Sequence, residues 1–194
     1  MSYQRLHQQL HFIFEIDKLK TIVRQSSLFK SDRRENDAEH SWHLAMMALI
    51  LTEHADHSVN VTRVLKMVLI HDLVEIDAGD IFLFDTQKDH NNTEKEMLAA
   101  QRIFSLLPED QATEFINLWL EFEQGKTNDA RFAKAIDRLH PALQNLSNNG
   151  GTWAKFEIDL ATVLDKLQPI KKSSATLWEY VDQEIHTLSQ RKCI

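Results

Sequence analysis

The sequence contains few of the residues that interrupt helices. Four glycines and three prolines occur among 194 residues. Leu, Ala, Glu, Lys and Gln, which favour the helical conformation, are frequent instead. Hydrophobic residues make up 43% of the chain, which is enough to build a sizeable core. We therefore expect an all-α fold, a compact single-domain helical bundle that spans residues 1–194.

Cysteine and long apolar segments are also scarce. Cys193 is the only cysteine in the sequence, which excludes an internal disulfide framework and favours a reducing compartment. The first ten residues lack the hydrophobic region of a signal peptide, and the longest apolar run, residues 44–51, is too short to cross a bilayer. The sequence predicts a cytoplasmic protein that makes no contact with a membrane.

Basic segments are absent as well. The formal net charge is −7, and the sequence contains no run of Lys and Arg residues. A negative surface without basic clusters repels both the phosphate backbone of nucleic acids and anionic lipid headgroups. We therefore do not expect a nucleic-acid polymer among the partners of this protein.

Apolar residues recur at helical spacing through most of the chain. The spacing predicts helices over about residues 4–24, 37–55, 61–80, 93–107, 110–123, 130–146, 153–167 and 174–190. Residues 25–36 are predicted to form a polar loop. The irregular segment after Asp80 is typical of a lid or a binding loop.

Polar residues at the predicted helix starts indicate caps. Asn36 and Glu39 have the spacing of a capping box for the second helix. Two other helix starts leave two candidate caps each, which are Asn60 or Thr62 and Asn128 or Asp129.

The stretch from Val61 to Asp80 combines an apolar helix with a cluster of ionisable residues. Helical spacing places His71, Asp72 and Glu75 within about one turn, just before a break at Gly79. The preceding turns of the same face are apolar, so the cluster extends a buried stripe. Buried charges need compensation, which a metal ion can supply. A helix that ends in acidic residues before a glycine is the ordinary alternative.

Two histidines and one aspartate elsewhere lie along apolar stripes. His40 begins the apolar face of the second helix, and His43 follows one turn later. Asp137 lies among apolar neighbours of a later helix. Each residue has an ordinary interpretation, because core histidines are common and Asp137 has Lys134 and Arg138 nearby as salt-bridge partners.

Together these residues form a possible ligand set, namely His40, His71, Asp72 and Asp137. Two imidazoles and two carboxylates suit Mn, Fe, Co, Ni or Zn better than Mg or Ca alone. The order His … His-Asp … Asp resembles the HD-domain superfamily of metal-dependent phosphohydrolases. Three segments resemble the branch that contains the bacterial 5′-deoxynucleotidases: RRENDAEHSWHLA (33–45), HDLVEIDAGDIFLFD (71–85) and RFAKAIDRLHPALQN (131–145).

The resemblance implies a role for each residue. It covers the motif-bearing core, about residues 24–153, and leaves the C-terminal helices, residues 153–190, less defined. One divalent ion (Mn, Co, Fe, Ni or Zn, with Mg also possible) is expected on the ligand set His40, His71, Asp72 and Asp137. Glu75 is expected to hold or deprotonate the attacking water. Asp80 is expected to steer that water or to protonate the leaving oxygen.

Two further residues are expected to contact the substrate. Arg24, at the predicted end of the first helix, resembles a phosphate- or substrate-contacting arginine of the family. The family's deoxynucleotidase has a tryptophan at the next position, where this chain has Gln25. That difference leaves the specificity for deoxynucleoside monophosphates open. His43 is not a ligand in the family, and we expect it to line the substrate pocket, with a structural role as the alternative.

The function implied by this resemblance is the metal-dependent hydrolysis of a phosphomonoester by a metal-activated water. The simplest small phosphorylated substrate is a 5′-(deoxy)nucleoside monophosphate. The alternatives are hydrolysis of another phosphorylated metabolite, such as a guanosine polyphosphate or a phosphonate, and a catalytically silent nucleotide- or metal-binding module. The family habit, together with apolar residues such as Trp119 and Phe122, also predicts a homodimer.

Overall fold

A computed structural model describes residues 3–85 and 93–191 of the chain. The predicted all-α class is confirmed, with one small antiparallel sheet beside the helices. The helices are α1 Tyr3–Ile16, α2 Asp37–Leu51, α3 Val61–Ile70, α4 Glu75–Ala78, α5 Thr93–Phe104, α6 Glu109–Gln124, α7 Asn128–Ser147, α8 Gly151–Lys155, α9 Leu160–Lys166, α10 Gln168–Lys171 and α11 Ala175–Gln190. The strands are β1 Val23–Ser27 and β2 Arg34–Asn36, and 3₁₀ turns occupy Asp17–Thr21, Thr52–His54 and His71–Val74.

The central helix of the molecule is α7, which packs against α2, α3, α6 and α11. Its buried stripe includes Phe132, Ala133, Ile136 and Leu139, which recur every three or four residues as a helix face requires. Asp137 lies within the same buried part of α7. The apolar packing of α7 therefore fixes the position of that carboxylate.

The predicted capping box at the start of α2 is confirmed. The backbone N–H of Glu39 donates to Asn36 Oδ1 at 2.9 Å, and the backbone N–H of Asn36 donates to Glu39 Oε2 at 3.2 Å. Asn60, one of the two candidates at the next helix, caps α3 through the N–H of Arg63. These caps set where α2 and α3 begin.

The predicted cap of α7 is wrong. Thr127 is the cap, because its hydroxyl accepts from the backbone N–H of Ala130 at 3.1 Å. Asn128 and Asp129 are already part of the helix. The Asp129 carboxylate accepts from the backbone N–H of Asn60 instead, at 2.7 Å, and so ties the start of α7 to the start of α3.

The first helix is shorter than predicted, and the predicted loop over residues 25–36 is wrong where the two strands lie. Helix α1 ends at Ile16, and a 3₁₀ turn leads into β1, which contains Arg24. Three β-branched residues, 21–23, favour extended backbone at this point. Strand β1 pairs antiparallel with β2, with Val23 opposite Asn36. This pairing brings Arg24 beside the start of α2.

The predicted helix over residues 153–167 is also wrong, because the chain forms two short helices there, α8 and α9. Glu157 has a φ of 52°, which no α-helix accommodates. Asp159 then caps α9 by accepting from the backbone N–H of Thr162 at 3.0 Å. Pro169 lies in the first turn of α10, where its missing N–H leaves no hydrogen bond unmade.

Part of the predicted lid or binding loop after Asp80 can be placed. Residues 81–85 are described, and residues 86–92 lie outside the described residues, as does Cys193. Within the described ranges, no helix has both the length and the apolar content that crossing a bilayer requires.

The capping box of α2 gives a testable prediction for stability. Asn36→Ala removes the acceptor for the Glu39 N–H, so the free energy of unfolding should fall by about 1 kcal/mol. Asn36→Asp is the matched control, because its carboxylate retains the acceptor. Urea unfolding followed by circular dichroism measures both variants. An alanine variant as stable as the unsubstituted protein would show that the cap contributes nothing.

Candidate active site

The predicted continuous helix from Val61 to Gly79 is wrong over four residues, because a 3₁₀ turn, His71–Val74, separates α3 from α4. The carbonyl oxygen of Val68, a normal acceptor in a continued α-helix, lies 3.0 Å from His71 Nδ1. Because a 3₁₀ helix has three residues per turn, His71 and Val74 lie on the same face, and both are buried. Asp72 is turned toward a cavity that His71 also lines.

The His71 ring is held in one orientation and one tautomer. A carbonyl oxygen only accepts, so the contact with Val68 places the proton on Nδ1. The ring packs against Phe122 with 4.8 Å between centroids. His71 Nε2 is left with a free electron pair, and it is buried without a hydrogen-bond partner among the described residues. Such a nitrogen is suited to bind a metal ion.

The other three predicted ligands bring their polar atoms to the same point. Asp72 Oδ1 lies 3.1 Å and Asp137 Oδ1 3.6 Å from His71 Nε2. His40 Nε2 lies 3.0 Å from Asp137 Oδ1 and 4.0 Å from Asp72 Oδ2. Helix α2, the 3₁₀ turn and α7 therefore deliver two imidazoles and two carboxylates to one cluster.

These separations fit the coordination shell of a divalent ion. Ligand atoms about 2.1 Å from an ion lie roughly 3.0–3.4 Å apart when the bonds meet at about 90–109°. The observed spacing of 3.0 to 4.0 Å requires small movements. The unpartnered Nε2 of His71 points to the same conclusion. The ligands present therefore fit a divalent ion, and their nitrogen and oxygen atoms are compatible with Mn, Co, Fe, Ni, Zn or Mg.

His40 and Asp137 form an ion pair when no ion is bound. Burial and the charge of Arg24 act to lower the pKa of His40, but hydrogen bonds with Asp137 and Glu35 outweigh them and raise it to about 9. Burial acts to raise the pKa of Asp137, yet the hydrogen bond with His40 and the proximity of His71 hold it well below its usual range. Metal binding would therefore release the proton on His40 Nε2.

Arg24 contacts three carboxylates beside the cluster. Its Nη1 donates to Asp37 Oδ1 at 2.9 Å and to Asp72 Oδ2 at 2.8 Å, and it lies 3.7 Å from Asp80 Oδ1. Burial acts to lower the pKa of Arg24, but the charges of Asp72, Asp80 and Asp37 hold it well above its usual value. Arg24 therefore stays charged, and it orients Asp72.

Asp37 is a member of the site that sequence reasoning missed. Its side chain is fully buried, and burial followed by the charge of Asp72 raises its pKa to about 7 despite Arg24. In the sequence it resembles the acidic first turn of an ordinary helix. Its position three residues before His40, on the same face of α2, is the signal that could have revealed it.

Glu75 and Asp80 line the cavity next to Asp72. Burial, and then the charges of Asp72 and Asp80, raise the pKa of Glu75 to about 9. Burial also raises the pKa of Asp80, although Arg24 opposes the shift. Glu75 Oε2 is buried and has no hydrogen-bond partner within the described part of the chain. Positive charge in the neighbouring cluster would favour the ionised form of Glu75.

The cavity above the cluster has a volume of about 300 Å³. Most of the predicted site residues line it: Arg24, His71, Asp72, Glu75, Asp80 and Asp137. His40 lies beneath it and is fully buried. The walls of the cavity combine aromatic side chains with polar and basic ones, among them Gln25, Phe82, Phe84, Trp119, Lys134, Arg138, Asn145, Trp153 and Lys166.

His43 is not among the residues that line this cavity. Its ring packs against His140, with 4.3 Å between centroids, and against Phe29 at 5.4 Å. The predicted contact between His43 and a substrate therefore has no support in this geometry.

Two buried residues behind His40 were not predicted. His40 Nδ1 lies 3.0 Å from His140 Nδ1 and 3.3 Å from Glu35 Oε2. Glu35 lies in strand β2, which the sequence analysis assigned to a loop. His140 follows Asp137 by three residues on α7, so helical spacing could have placed it near the cluster.

Known proteins that resemble this chain were compared with it. The HD domain family model matches residues 16–178. The 5′-deoxynucleotidase HDDC2 of Xenopus laevis is 32% identical over 138 residues, which cover 71% of this chain and 67% of that protein. The 5′-deoxynucleotidase hdd1 of Schizosaccharomyces pombe is 27% identical, with 89% and 93% covered.

A solved structure extends the likeness to the whole fold. A predicted metal-dependent phosphohydrolase of Magnetospirillum magnetotacticum MS-1 has a TM-score of 0.93 and 49% identity, over 98% of this chain and 96% of that one. The family match spans the elements that carry all four ligands of the cluster. The chain described here thus belongs to the HD-domain superfamily of metal-dependent phosphohydrolases.

Proposed function

We propose that this protein is a phosphomonoesterase that hydrolyses 5′-(deoxy)nucleoside monophosphates. The observation that carries the proposal is the convergence of two imidazoles and two carboxylates at the floor of a cavity. Arg24, Glu75 and Asp80 stand at its edge. The relatives named 5′-deoxynucleotidase support the substrate class.

The floor of the cavity would hold one divalent ion through the predicted ligands, His40, His71, Asp72 and Asp137. An ion held there would lower the pKa of a water toward about 7 and would offer positive charge to a phosphoryl group. The surrounding protein fixes the positions of the four proposed ligands, because the two carboxylates and the two imidazole rings are held by packing or by hydrogen bonds.

Glu75 and Asp80 are the proposed proton-transfer pair. Glu75 would accept the proton of the attacking water, since its Oε2 has no other partner within the described residues. Asp80 would protonate the leaving oxygen. Burial raises the pKa of Asp80, which is the direction that a general acid requires.

Arg24 is the proposed phosphate-binding residue. Its Nη1 is engaged by Asp37 and Asp72. Among the described residues, no hydrogen bond from Nη2 or Nε is present, so these N–H groups can bind phosphate oxygens. A guanidinium fixed by buried carboxylates loses little freedom when it binds the phosphate.

A substrate with more than one phosphate is the second candidate. Lys134, Arg138 and Lys166 also line the cavity. Lys134 lies 3.7 Å from Glu123, and Arg138 lies 3.5 Å from Asp137. Lys166 has no ion pair within the described ranges. An ammonium group without a partner on the cavity wall is a ready contact for a second phosphate.

Some predictions from the sequence are not part of this proposed machinery. His43 is left out because its ring contacts Phe29 and His140. The homodimer and the cytoplasmic location stay predictions. A catalytically silent binding module is disfavoured because Glu75 and Asp80 are both present at the cavity.

The ligand set is tested by metal analysis. Asp72→Ala removes one carboxylate from the cluster, so the protein should lose its ion after reconstitution with Mn²⁺ and desalting. Asp77→Ala is the matched control, because Asp77 pairs with Arg102 outside the cavity and should keep one ion per chain. Equal metal content in Asp72→Ala and in the unsubstituted protein would contradict the assignment.

The role of Glu75 is tested by Glu75→Gln, which keeps the size of the side chain and removes its basicity. The turnover number on the best substrate should fall by about 10²–10⁴-fold. Metal content and thermal unfolding should stay near those of the unsubstituted protein. A variant that retains more than half of the activity would place the base elsewhere.

The substrate class is tested by phosphate release from a panel of nucleoside mono-, di- and polyphosphates with Mn²⁺ or Co²⁺. The proposal expects the highest kcat/KM on 5′-monophosphates. If polyphosphates are better substrates, Lys166→Ala should lower the ratio of polyphosphate to monophosphate turnover by roughly 10-fold, the effect of one charge-assisted hydrogen bond. Lys155→Ala, which alters a lysine outside the cavity, is the control. Hydrolysis of no nucleotide in the panel would refute the proposed substrate class.

A further inference from the structure

A buried cluster of Glu35, His43 and His140 lies behind His40, on the side away from the cavity. His40 and His140 are 0% exposed, and Glu35 is 1% exposed. Glu35 Oε2 and His140 Nε2 have no hydrogen-bond partner among the described residues. Buried polar atoms that lack a hydrogen-bond partner destabilise a fold, so their presence here calls for a role.

The proton of His40 determines what this cluster can do. If His40 Nε2 binds an ion, its electron pair is used there, and a neutral imidazole must carry its single proton on Nδ1. The two atoms that face Nδ1 are His140 Nδ1 at 3.0 Å and Glu35 Oε2 at 3.3 Å. His140 Nδ1 can accept that proton in a hydrogen bond, and the nearby Glu35 carboxylate attracts it electrostatically.

His140 is suited to accept rather than to donate at Nδ1. The two Nδ1 atoms of His40 and His140 lie 3.0 Å apart, so when His40 Nδ1 donates a proton, His140 Nδ1 accepts it. With Nδ1 as acceptor, the proton of His140 lies on Nε2, which faces Glu35 Oε1 at 3.7 Å. The Glu35 carboxylate therefore faces both imidazoles.

We propose that Glu35 and His140 are positioning residues that hold the Nδ1–H of His40, so that His40 Nε2 is presented to the metal ion. The inference rests on the proposed metal centre. A carboxylate behind the ligand fixes the tautomer and the ring orientation, and it makes the ligand nitrogen more basic. Glu35 thus contributes to metal affinity without touching the ion or the substrate.

A second metal ion on Glu35, His43 and His140 is the competing interpretation, because their ligand atoms lie within 4.8 Å of one another. The geometry favours positioning for two reasons. His140 Nδ1 is directed at His40, and the rings of His43 and His140 pack against each other at a tilt of 36°, with 4.3 Å between their centroids. The ion proposed on His40 Nε2 and the Arg24 guanidinium would both repel a second ion.

The test measures the Mn²⁺ dissociation constant of metal-free protein for matched variants. Glu35→Ala should weaken Mn²⁺ binding by about 10–100-fold. Glu35→Gln should weaken it less, because its carbonyl oxygen still accepts from His40. His43→Ala is the control: it alters the same cluster but no contact of His40 Nδ1, and it should stay within about twofold.

Three outcomes would overturn the proposal. Glu35→Ala and Glu35→Gln that bind Mn²⁺ within about twofold of the unsubstituted protein would show that Glu35 does not act through His40. Two ions per chain, one of them lost in His43→Ala, would establish the second metal site instead. If the unsubstituted protein binds no ion, the proposed metal centre itself is refuted. This outcome differs from the first one, in which the ion binds but Glu35 has no effect on its affinity.

A measurement on the unsubstituted protein tests the proposal even if the variants fail to fold. Nitrogen NMR of ¹⁵N-histidine-labelled protein loaded with Zn²⁺ reports which nitrogen of each ring carries a proton. The proposal expects His40 to be protonated at Nδ1 and bound at Nε2. A proton-free Nδ1 on His40 would contradict it whatever the variants show.

Discussion

The active site depends on how the fold accommodates buried negative charge. Asp37, Asp72 and Asp80 all face Arg24, and Glu75 adds a fourth carboxyl to the same wall. This excess of negative charge raises two pKa values. Burial and the charge of Asp72 raise the pKa of Asp37 to about 7 and the pKa of Glu75 to about 9. Positive charge in the ligand cluster reduces this repulsion. An ion at the proposed ligands would therefore favour the ionised form of Glu75, which is the form that the proposed base requires.

The parts of the structure that local sequence determines were predictable. The all-α class follows from composition, and the Asn36 capping box follows from residues three positions apart. The ligand cluster was also predicted, although its members come from three separate elements. Spacing along one helix could relate only His71 to Asp72, so the approach of His40 and Asp137 depended on the resemblance of the ordered segments to a known family.

The parts that tertiary contacts determine were not predictable. The apolar spacing of residues 4–24 extended the predicted first helix to Arg24, but the pairing of β1 with β2 places that residue in a strand. The 3₁₀ turn at His71 accompanies a contact between its ring and the Val68 carbonyl. Glu35 and His140 are 105 positions apart and meet only through the packing of β2 and α2 on α7. The spacing of residues along one helix does not predict contacts between residues that are so far apart in the sequence.

The floor and the walls of the cavity are built by different parts of the chain. The ligands lie on α2, the 3₁₀ turn and α7, whereas residues 81–84, α8 and α9 supply much of the walls. In a regular strand Arg24 and Gln25 would point to opposite faces, yet both line the cavity, and β1 has an irregular register between Val23 and Ser27. The amide of Gln25 offers hydrogen bonds, whereas the tryptophan that the family resemblance implies at this position would offer a stacking face. Under the function proposed above, the residues that would select a nucleotide therefore come from the walls, which are separate in sequence from the elements that carry the proposed ligands.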